Sequence, residues 1–432
     1  MNLRALAAPR EGTDHFAWVV TLVCILGLII ALSGSSRGAD LFLACWGLLI
    51  LPRAPLCLKL VFRSPGLWLI PAFALLSVLW SQDRSETLRA GIELSLTIGI
   101  AFLTAGFLRP REFVVTMMLG LLFAAVLSLL FGRYGVDGLS GQTVFMGIFA
   151  SKNTMAMVMS LFLLFSLAVL VDRHQPALFR LIAVIAFPLS IPLLLRAHSV
   201  GAFITTGASL LAFLLIVVFV RLSSRERMLV LTVGGALAVP IAIGTAYLAL
   251  SGTLGDAVYW FITHVLGKDP TMTGRTVLWQ IALNQIAQHP LLGSGYDAFW
   301  IQGNLLPEGI WREFQIDSRS GFNFQNTLLE VAVELGWIGA GLLAMMLFAA
   351  TVRVARLALA DQNMAHAALL ASLFCLLTRM IAEVDTPYPF ALGTFLLFAA
   401  AAYGADHVAA VRAPQPQGTY ETASPSISAE RA

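Results

Sequence analysis

Charge is what this sequence has least of. Asp, Glu, Lys and Arg make up 12% of its 432 residues, against roughly 25% in soluble domains, and a water-exposed surface cannot be covered with so few. Cysteine is rarer still. Cys24, Cys45, Cys57 and Cys375 lie within or beside apolar segments with no CxxC pair and no His cluster at ligand spacing, so neither a disulfide framework nor a zinc site is supported. The net charge of +3 is too small to argue for a nucleic-acid partner. No internal repeat of the kind that marks many transporters is evident.

What is abundant is apolar sequence, 58% of the chain. Runs of about eighteen residues or more recur, each long enough as a helix to cross a hydrocarbon core roughly 30 Å thick. The spacing predicts about twelve spans, at 17–34, 41–58, 66–80, 90–107, 113–131, 153–171, 178–195, 200–220, 229–249, 326–350, 366–382 and 389–405. The fold expected is an all-α polytopic membrane protein. The first run follows basic residues as a secretion signal would, but its full length reads as a retained anchor.

Orientation follows the basic residues of the short loops. With the N-terminus in the cytoplasm, Arg4, Arg10, Arg53, Lys59, Arg63, Arg109, Arg111, Arg173, Arg180, Arg221, Arg225, Arg227, Arg353, Arg356, Arg412 and Arg431 lie inside. Every cytoplasmic connection then holds a basic pair, and both termini are expected there. Residues 1–250 form nine spans, 251–325 a large outward loop, 326–405 three more spans, and 406–432 a tail. From Ala413 the tail is rich in Pro, Ser, Gln and Thr, a disordered composition.

The outward loop departs from the pattern of tight turns, and loops of that length are usually functional or disordered. Tyr259, Trp260, Phe261, Trp279, Trp300, Trp311, Phe314 and Phe322 suit a folded cap at the membrane surface better than a linker. Thr273 to His289 reads as a helix with Val277, Leu278, Ile281 and Ile286 on one side. Pro290 stops it, Gly293 and Gly295 turn the chain, and Asp317 to Gly321 forms a polar hinge into the tenth span.

Three strings carry a resemblance: GKDPTMTGRTVLW from Gly267, QHPLLGSGYDAFW from Gln288, and FNFQNTLLEVAVELGWIG from Phe322. With LWSQDRSETLRAGIEL from Leu79 and FASKNTMA from Phe149, they make the chain similar to the O-antigen ligase and Wzy-type polysaccharide polymerase family, closest to its ExoQ-like exopolysaccharide branch. The resemblance implies a GT-C-like glycosyltransferase architecture in the bacterial inner membrane. It implies transfer of a glycan from undecaprenyl pyrophosphate to an acceptor hydroxyl at the periplasmic face, with no cofactor and no metal. The acceptor is another repeat unit for a polymerase and lipid A core for a ligase, and the GKDP and FNFQN forms favour the polymerase. A chain-length regulator and a flippase are further partners it allows.

The chemistry implied needs fixed cations for the departing pyrophosphate, and arginine forks suit phosphate oxygens. Arg275 matches the family's loop arginine and is the expected pyrophosphate contact, although a headgroup-binding arginine would look the same. Trp279, one turn on, is placed to pack against it, and an interfacial belt tryptophan fits the position equally well. Arg196, in LLLRAHSVGAF where the family has a Ser-Arg pair, is the second candidate cation. Lys152 and Asn153 match the family's KN pair, and His289 and Tyr296 flank the loop turn as candidate glycan contacts, with turn fixation the other role for His289.

The family's ligases carry a histidine base before Asn326, where this chain has Gln325. An amide is no general base at neutral pH. Three readings stay open: Gln325 and Asn326 only orient the acceptor; Glu330 or His198 supplies the base; or the protein binds glycan without transferring it. Glu334 lies at helical spacing from Glu330, and Glu93, Arg379, Glu383 and Asp385 fit structural ion pairs equally well. A transporter of glycan or lipid-linked glycan is the alternative of a different class.

Overall fold

The computed structural model describes residues 14–54, 57–58, 64–136, 143–251, 256, 260, 263–264, 274–316, 319, 321–361 and 363–412. Outside them lie Arg4, Arg10, Lys59, Arg63, Tyr259, Phe261, Thr273, Asp317, the GKDP lead-in and the tail from Ala413.

A helix occupies every apolar stretch expected from the sequence. In chain order these are α1 (His15–Ala31), α2 (Ser36–Ile50), α3 (Leu69–Leu76, flanked by 3-10 turns Pro65–Trp68 and Ser77–Leu79), α4 (Arg84–Phe107), α5 (Pro110–Phe131), α6 (Lys152–Val171), α7 (Ala177–Arg196), α8 (Val200–Arg221) and α9 (Ser224–Leu250). Two short helices follow, α10 (Arg275–Gln288) and α11 (Leu305–Glu313), then α12 (Thr327–Asp361), α13 (Met364–Arg379) and α14 (Leu392–Arg412). Among the described residues, six of these helices are long and apolar enough to cross a membrane. The protein is a polytopic α-helical membrane protein. One element was not anticipated, an antiparallel hairpin of β1 (Arg133–Val136) and β2 (Thr143–Gly147) in the α5–α6 connection.

Local chemistry sets the helix starts. The side chain of Asp83 accepts from the backbone N–H groups of Ser85 and Glu86 to open α4, Ser151 does so for Thr154 at α6, and Asn363 for Ala365 at α13. Each satisfies a donor that the first helical turn leaves unpaired. Pro110 opens α5, where its missing N–H costs nothing.

α6 is the most enclosed spanning helix, buried among α5, α7 and α13. α4 packs on α14, α8 on α13, and α12 on α13, α14 and α10. α9 is exposed along its described length, with Leu229, Val233, Leu237 and Ile243 turned outward, as suits apolar side chains facing lipid. The turns after α1, α3, α5, α7 and α13 lie at one end with the segment before α12, joined by bonds such as Gln82 N to Ser294 O, Ser199 Oγ to Asn153 Oδ1 and Thr327 N to Met380 O. A bond from Ala150 N to Leu32 O, 3.3 Å, ties two of these turns together.

The tenth predicted span is not a continuous helix. Within α12, Gly336 (φ 66°, ψ −174°) breaks the spiral in a backbone region essentially reserved for glycine. The proline-glycine turn of the loop fills the break. Trp337 N donates to Pro290 O at 2.8 Å, Ser294 N to Val333 O and Gly295 N to Glu334 O, both at 2.9 Å. Backbone groups freed by the break are thus satisfied by the loop. A Cβ on Gly336 would collide with Leu291 O and Leu292 N. Residues 337–361 alone extend about 37 Å as a helix, enough to cross the bilayer, so the break belongs to the end of the bundle.

Gly336→Ala is therefore expected to lower thermal stability in detergent by at least the roughly 1–3 kcal/mol of backbone strain, beyond the collision itself. Gly341→Ala, where no heavy atom lies within 4 Å of a built Cβ, should leave it unchanged or raise it slightly. Equal melting temperatures for wild type and Gly336→Ala would show that the turn does not lock the break.

Candidate functional site

The same end of the bundle gathers most of the sequence-predicted polar residues. α10 begins at Arg275, just after Gly274, whose left-handed backbone (φ 82°) packs against the Phe314 ring. A cation in the first helical turn opposes the helix dipole. It is compensated by Glu383, whose Oε1 accepts from Arg275 Nη2 at 2.9 Å. The same Nη2 lies 3.4 Å from Gln325 Oε1. Arg275 Nε is buried and has no hydrogen-bond partner among the described residues.

Behind this pair stands Arg379, the last residue of α13 and 3% exposed. Its Nε donates to Asp385 Oδ2 at 2.6 Å and its Nη2 to Asp385 Oδ1 at 3.3 Å, the two-pronged geometry that guanidinium favours. Nη2 also reaches Asn153 O at 3.4 Å. Asn153 bonds the Glu383 carboxylate through its side chain and accepts from Ser199 Oγ at 3.4 Å. Four charges meet here, two arginines and two carboxylates. Burial, offset by Arg379 and Arg275, pushes Glu383 up to about 7, so near neutrality this carboxyl exchanges its proton readily.

Gln325 sits at this centre in a left-handed conformation (φ 54°), uncommon for a residue with a side chain. Asn323 Oδ1 holds it there, accepting from both Gln325 N and Nε2 at 2.9 Å. The start of α12 is stitched to the end of α13: Thr327 Oγ1 donates to Glu383 O at 2.8 Å and Asn326 Nδ2 to Ile381 O at 3.0 Å. Asn326 Oδ1 caps α12 by accepting from Leu328 N and Leu329 N at 3.0 Å. Its amide is consumed by the fold, not offered to an acceptor sugar.

Glu330 is likewise a clamp. It is fully buried; Oε1 accepts from Trp300 Nε1 at 2.7 Å and Tyr388 OH at 3.2 Å, and Oε2 from Phe324 N at 2.6 Å. Tyr388 OH also contacts Glu334 at 3.1 Å. Trp279 does not stack on Arg275; its Nε1 donates to Phe324 O at 3.0 Å. Glu330 and Trp279 therefore grip the FNFQN backbone from two sides, which sets where Gln325 lies.

Several expected contacts are elsewhere. Tyr296 is fully buried, its OH donating to Pro387 O at 2.6 Å, so it belongs to the core and not to a sugar site. His289 closes the far end of α10, roughly 20 Å along the axis from Arg275. Val277 is exposed, and the buried side of α10 is Leu278, Ala282 and Ile286, because packing on α12 chose a different face. Arg196 is exposed at the end of α7; the arginine that stands beside Arg275 is the buried Arg379. Lys152 opens α6 next to Asn153. The sequence signal for the Arg379 ion pair is an arginine ending an apolar run six residues before Asp385. What it lacked was the approach of Arg275 from 108 residues away.

A second polar knot adjoins the first. Asp297, with a left-handed backbone (φ 55°), lies near Glu86, Arg89 and Glu93, and Arg89 bridges Glu86 and Glu93 on α4. Burial, then the charges of Glu86 and Glu93, pushes Asp297 up to about 7 against the pull of Arg89. Beside the centre, a mostly apolar crevice of about 430 Å³ runs from Asn326 and Ile381 down between α12 and α13 to Thr351.

Residues 185–344 match the family model described as O-antigen ligase. That stretch contains Arg275 and Gln325 but ends before Arg379 and Glu383. Over 405 residues the chain is 33% identical to the exopolysaccharide production protein ExoQ of Rhizobium meliloti (strain 1021), covering 92% of this chain and 90% of that one.

The Asp297 environment sets a pH dependence. The folded state keeps this proton up to about pH 7, whereas an unfolded aspartate loses it near 4, so stability from this site is lost as pH rises through that window. Asp297→Asn should raise the melting temperature relative to wild type more at pH 8 than at pH 5. An equal gain at both would show that Asp297 is ionised throughout.

Proposed function

Since the chain belongs to the O-antigen ligase and Wzy polymerase family, on its ExoQ-like side, we propose that it polymerises exopolysaccharide or O-antigen repeat units from an undecaprenyl-pyrophosphate-linked donor. The observation that carries this reading is the arginine pair at the loop end of the bundle, with a buried, unpartnered Arg275 Nε. Breaking the bond between anomeric carbon and pyrophosphate leaves negative charge on the phosphate oxygens. A guanidinium held in place before the reaction stabilises that charge without reorganising. Arg275 offers its free Nε to a phosphate oxygen while Nη2 stays anchored, and Arg379 adds its charge from behind.

In this reading the donor enters from the bilayer, its polyprenyl chain lying in the apolar crevice that opens at Asn326 and Ile381. The loop end faces the periplasm, both termini lie in the cytoplasm, and the apolar helices make twelve crossings. Residues 274–326 act as a cap over the pyrophosphate, fastened to α12 through the break at Gly336. Gln325, fixed by Asn323, presents its amide to donor or acceptor. The broken helix does not favour a transporter, since residues 337–361 are long enough to span by themselves and the charged cluster lies beyond them.

Purified protein in liposomes, given a polyprenyl-pyrophosphate oligosaccharide alone, should produce a ladder of longer lipid-linked glycans. Product only when lipid A core is added would make the protein a ligase. Movement of donor across the bilayer without new glycosidic bonds would refute both. Arg275→Ala should lower turnover roughly 10- to 150-fold, the loss of a charged hydrogen bond of about 1.5–3 kcal/mol. Arg275→Lys should recover only part of it, because a point charge lacks the fork.

A further inference from the structure

We propose that Glu383 is the general base that takes the proton of the acceptor hydroxyl, the role for which Gln325 has no chemistry. The inference rests on the glycosyl-transfer reading above and assigns to it a residue in the loop after α13.

The candidates near the centre separate by what their atoms already do. Gln325 is an amide and cannot accept the proton. Both Glu330 oxygens are held, by Trp300 and Tyr388 on one side and by Phe324 N on the other. Asp385 is engaged through both oxygens with Arg379. His198 is exposed, in the turn between α7 and α8. Glu383 differs from all of these. Its carboxylate touches the same Arg275 Nη2 that faces Gln325, and a carboxylate has about four acceptor positions, so the contacts from Arg275 and the Asn153 side chain leave room for a hydroxyl. Its side chain is 15% exposed, open enough for a substrate atom to reach.

One guanidinium then serves two partners. Arg275 Nη2 fixes the carboxylate, and the unpartnered Nε of the same guanidinium is available to the pyrophosphate, so one cation sets base and leaving group side by side. In the step itself the acceptor oxygen forms a bond to the anomeric carbon and its proton passes to a Glu383 oxygen. The bond from that carbon to the pyrophosphate oxygen breaks with its electron pair leaving on the lipid pyrophosphate. The carboxylic acid returns its proton to water or to the departing phosphate.

The charges facing Glu383 are Arg275 from α10, Arg379 from α13 and Asp385 from its own loop, and the Asn153 side chain at the start of α6 adds a neutral hydrogen bond. A base that titrates close to the working pH is the efficient choice. Only the ionised carboxylate is competent, so turnover should rise with pH through about 7 and level off above it.

The test is steady-state transfer by the full-length protein in liposomes, with a synthetic polyprenyl-pyrophosphate oligosaccharide as donor. Glu383→Gln should cut kcat by at least about 100-fold, within the usual range for general-base catalysis, while the donor KM moves less than about threefold. The residual rate should lose the rise with pH. Should the glutamine variant fail to insert, Glu383→Asp keeps the charge but withdraws the carboxylate by one methylene. It should keep the acid limb with kcat lowered about tenfold. Wild-type kcat and an unchanged pH profile in either variant would overturn the assignment while leaving the glycosyl-transfer reading standing. A wild-type protein that makes no glycosidic bond from this donor would overturn that reading, and the base with it.

Discussion

The hydrogen bond between Arg275 and Glu383, 2.9 Å long and spanning 108 residues of chain, is the constraint on which the loop end of the molecule depends. It brings the first turn of a short helix against the connection that follows α13. Around it the remaining charges fall into place, with Arg379 held by Asp385 and the start of α6 drawn in through Asn153. In a chain so poor in charge, a buried arginine, a half-buried one and two carboxylates in one place are costly unless each is paired. Their retention argues for use, since packed apolar residues would hold the same helices together at less cost.

The pair could not sit where it does without the break in α12. An unbroken helix would give no seat to the turn from Pro290 to Gly295, and α10 would have nothing to dock on beyond side chains. With Gly336 departing from the spiral, backbone meets backbone. Such contacts leave little freedom for sliding. Glu330 and Trp279 then hold Phe324 from either side, and the strained backbone at Gln325 follows from being gripped at both neighbours. Rigid elements thus carry the site, in keeping with the folded cap that the aromatic residues of the loop suggest.

Much of this was legible beforehand, and the boundary has physical causes. Runs of apolar residues have one stable form in a bilayer, so the helices fall where hydropathy places them. Arg275 and Gln325 stood out from the strings around them. The break did not, because Leu335 to Ile338 stays apolar across it and a single glycine is silent in a hydropathy pattern. Glu330 reads in the sequence as a candidate base, yet its role as a backbone clamp depends on Trp300 and Tyr388, which no spacing rule connects. Glu383 and Arg379 were visible as an ion pair only, since nothing local in RMIAEVD says that a guanidinium from the preceding loop completes it. The hairpin β1–β2 was missed because four- and five-residue strands between spans carry too short an alternation to register.

The long reach of that hydrogen bond also orders events during synthesis. A chain made from its N-terminus exposes Arg275 well before Glu383 exists, and the α12 break must be filled while α13 and α14 are still to come. Until then the loop helix carries an uncompensated cation at the end where its own dipole is positive. Contacts so distant in sequence form late. A nascent chain stalled or cut before residue 383 would therefore hold most of the bundle and lack the centre, which makes the last two helices the step at which the protein becomes competent.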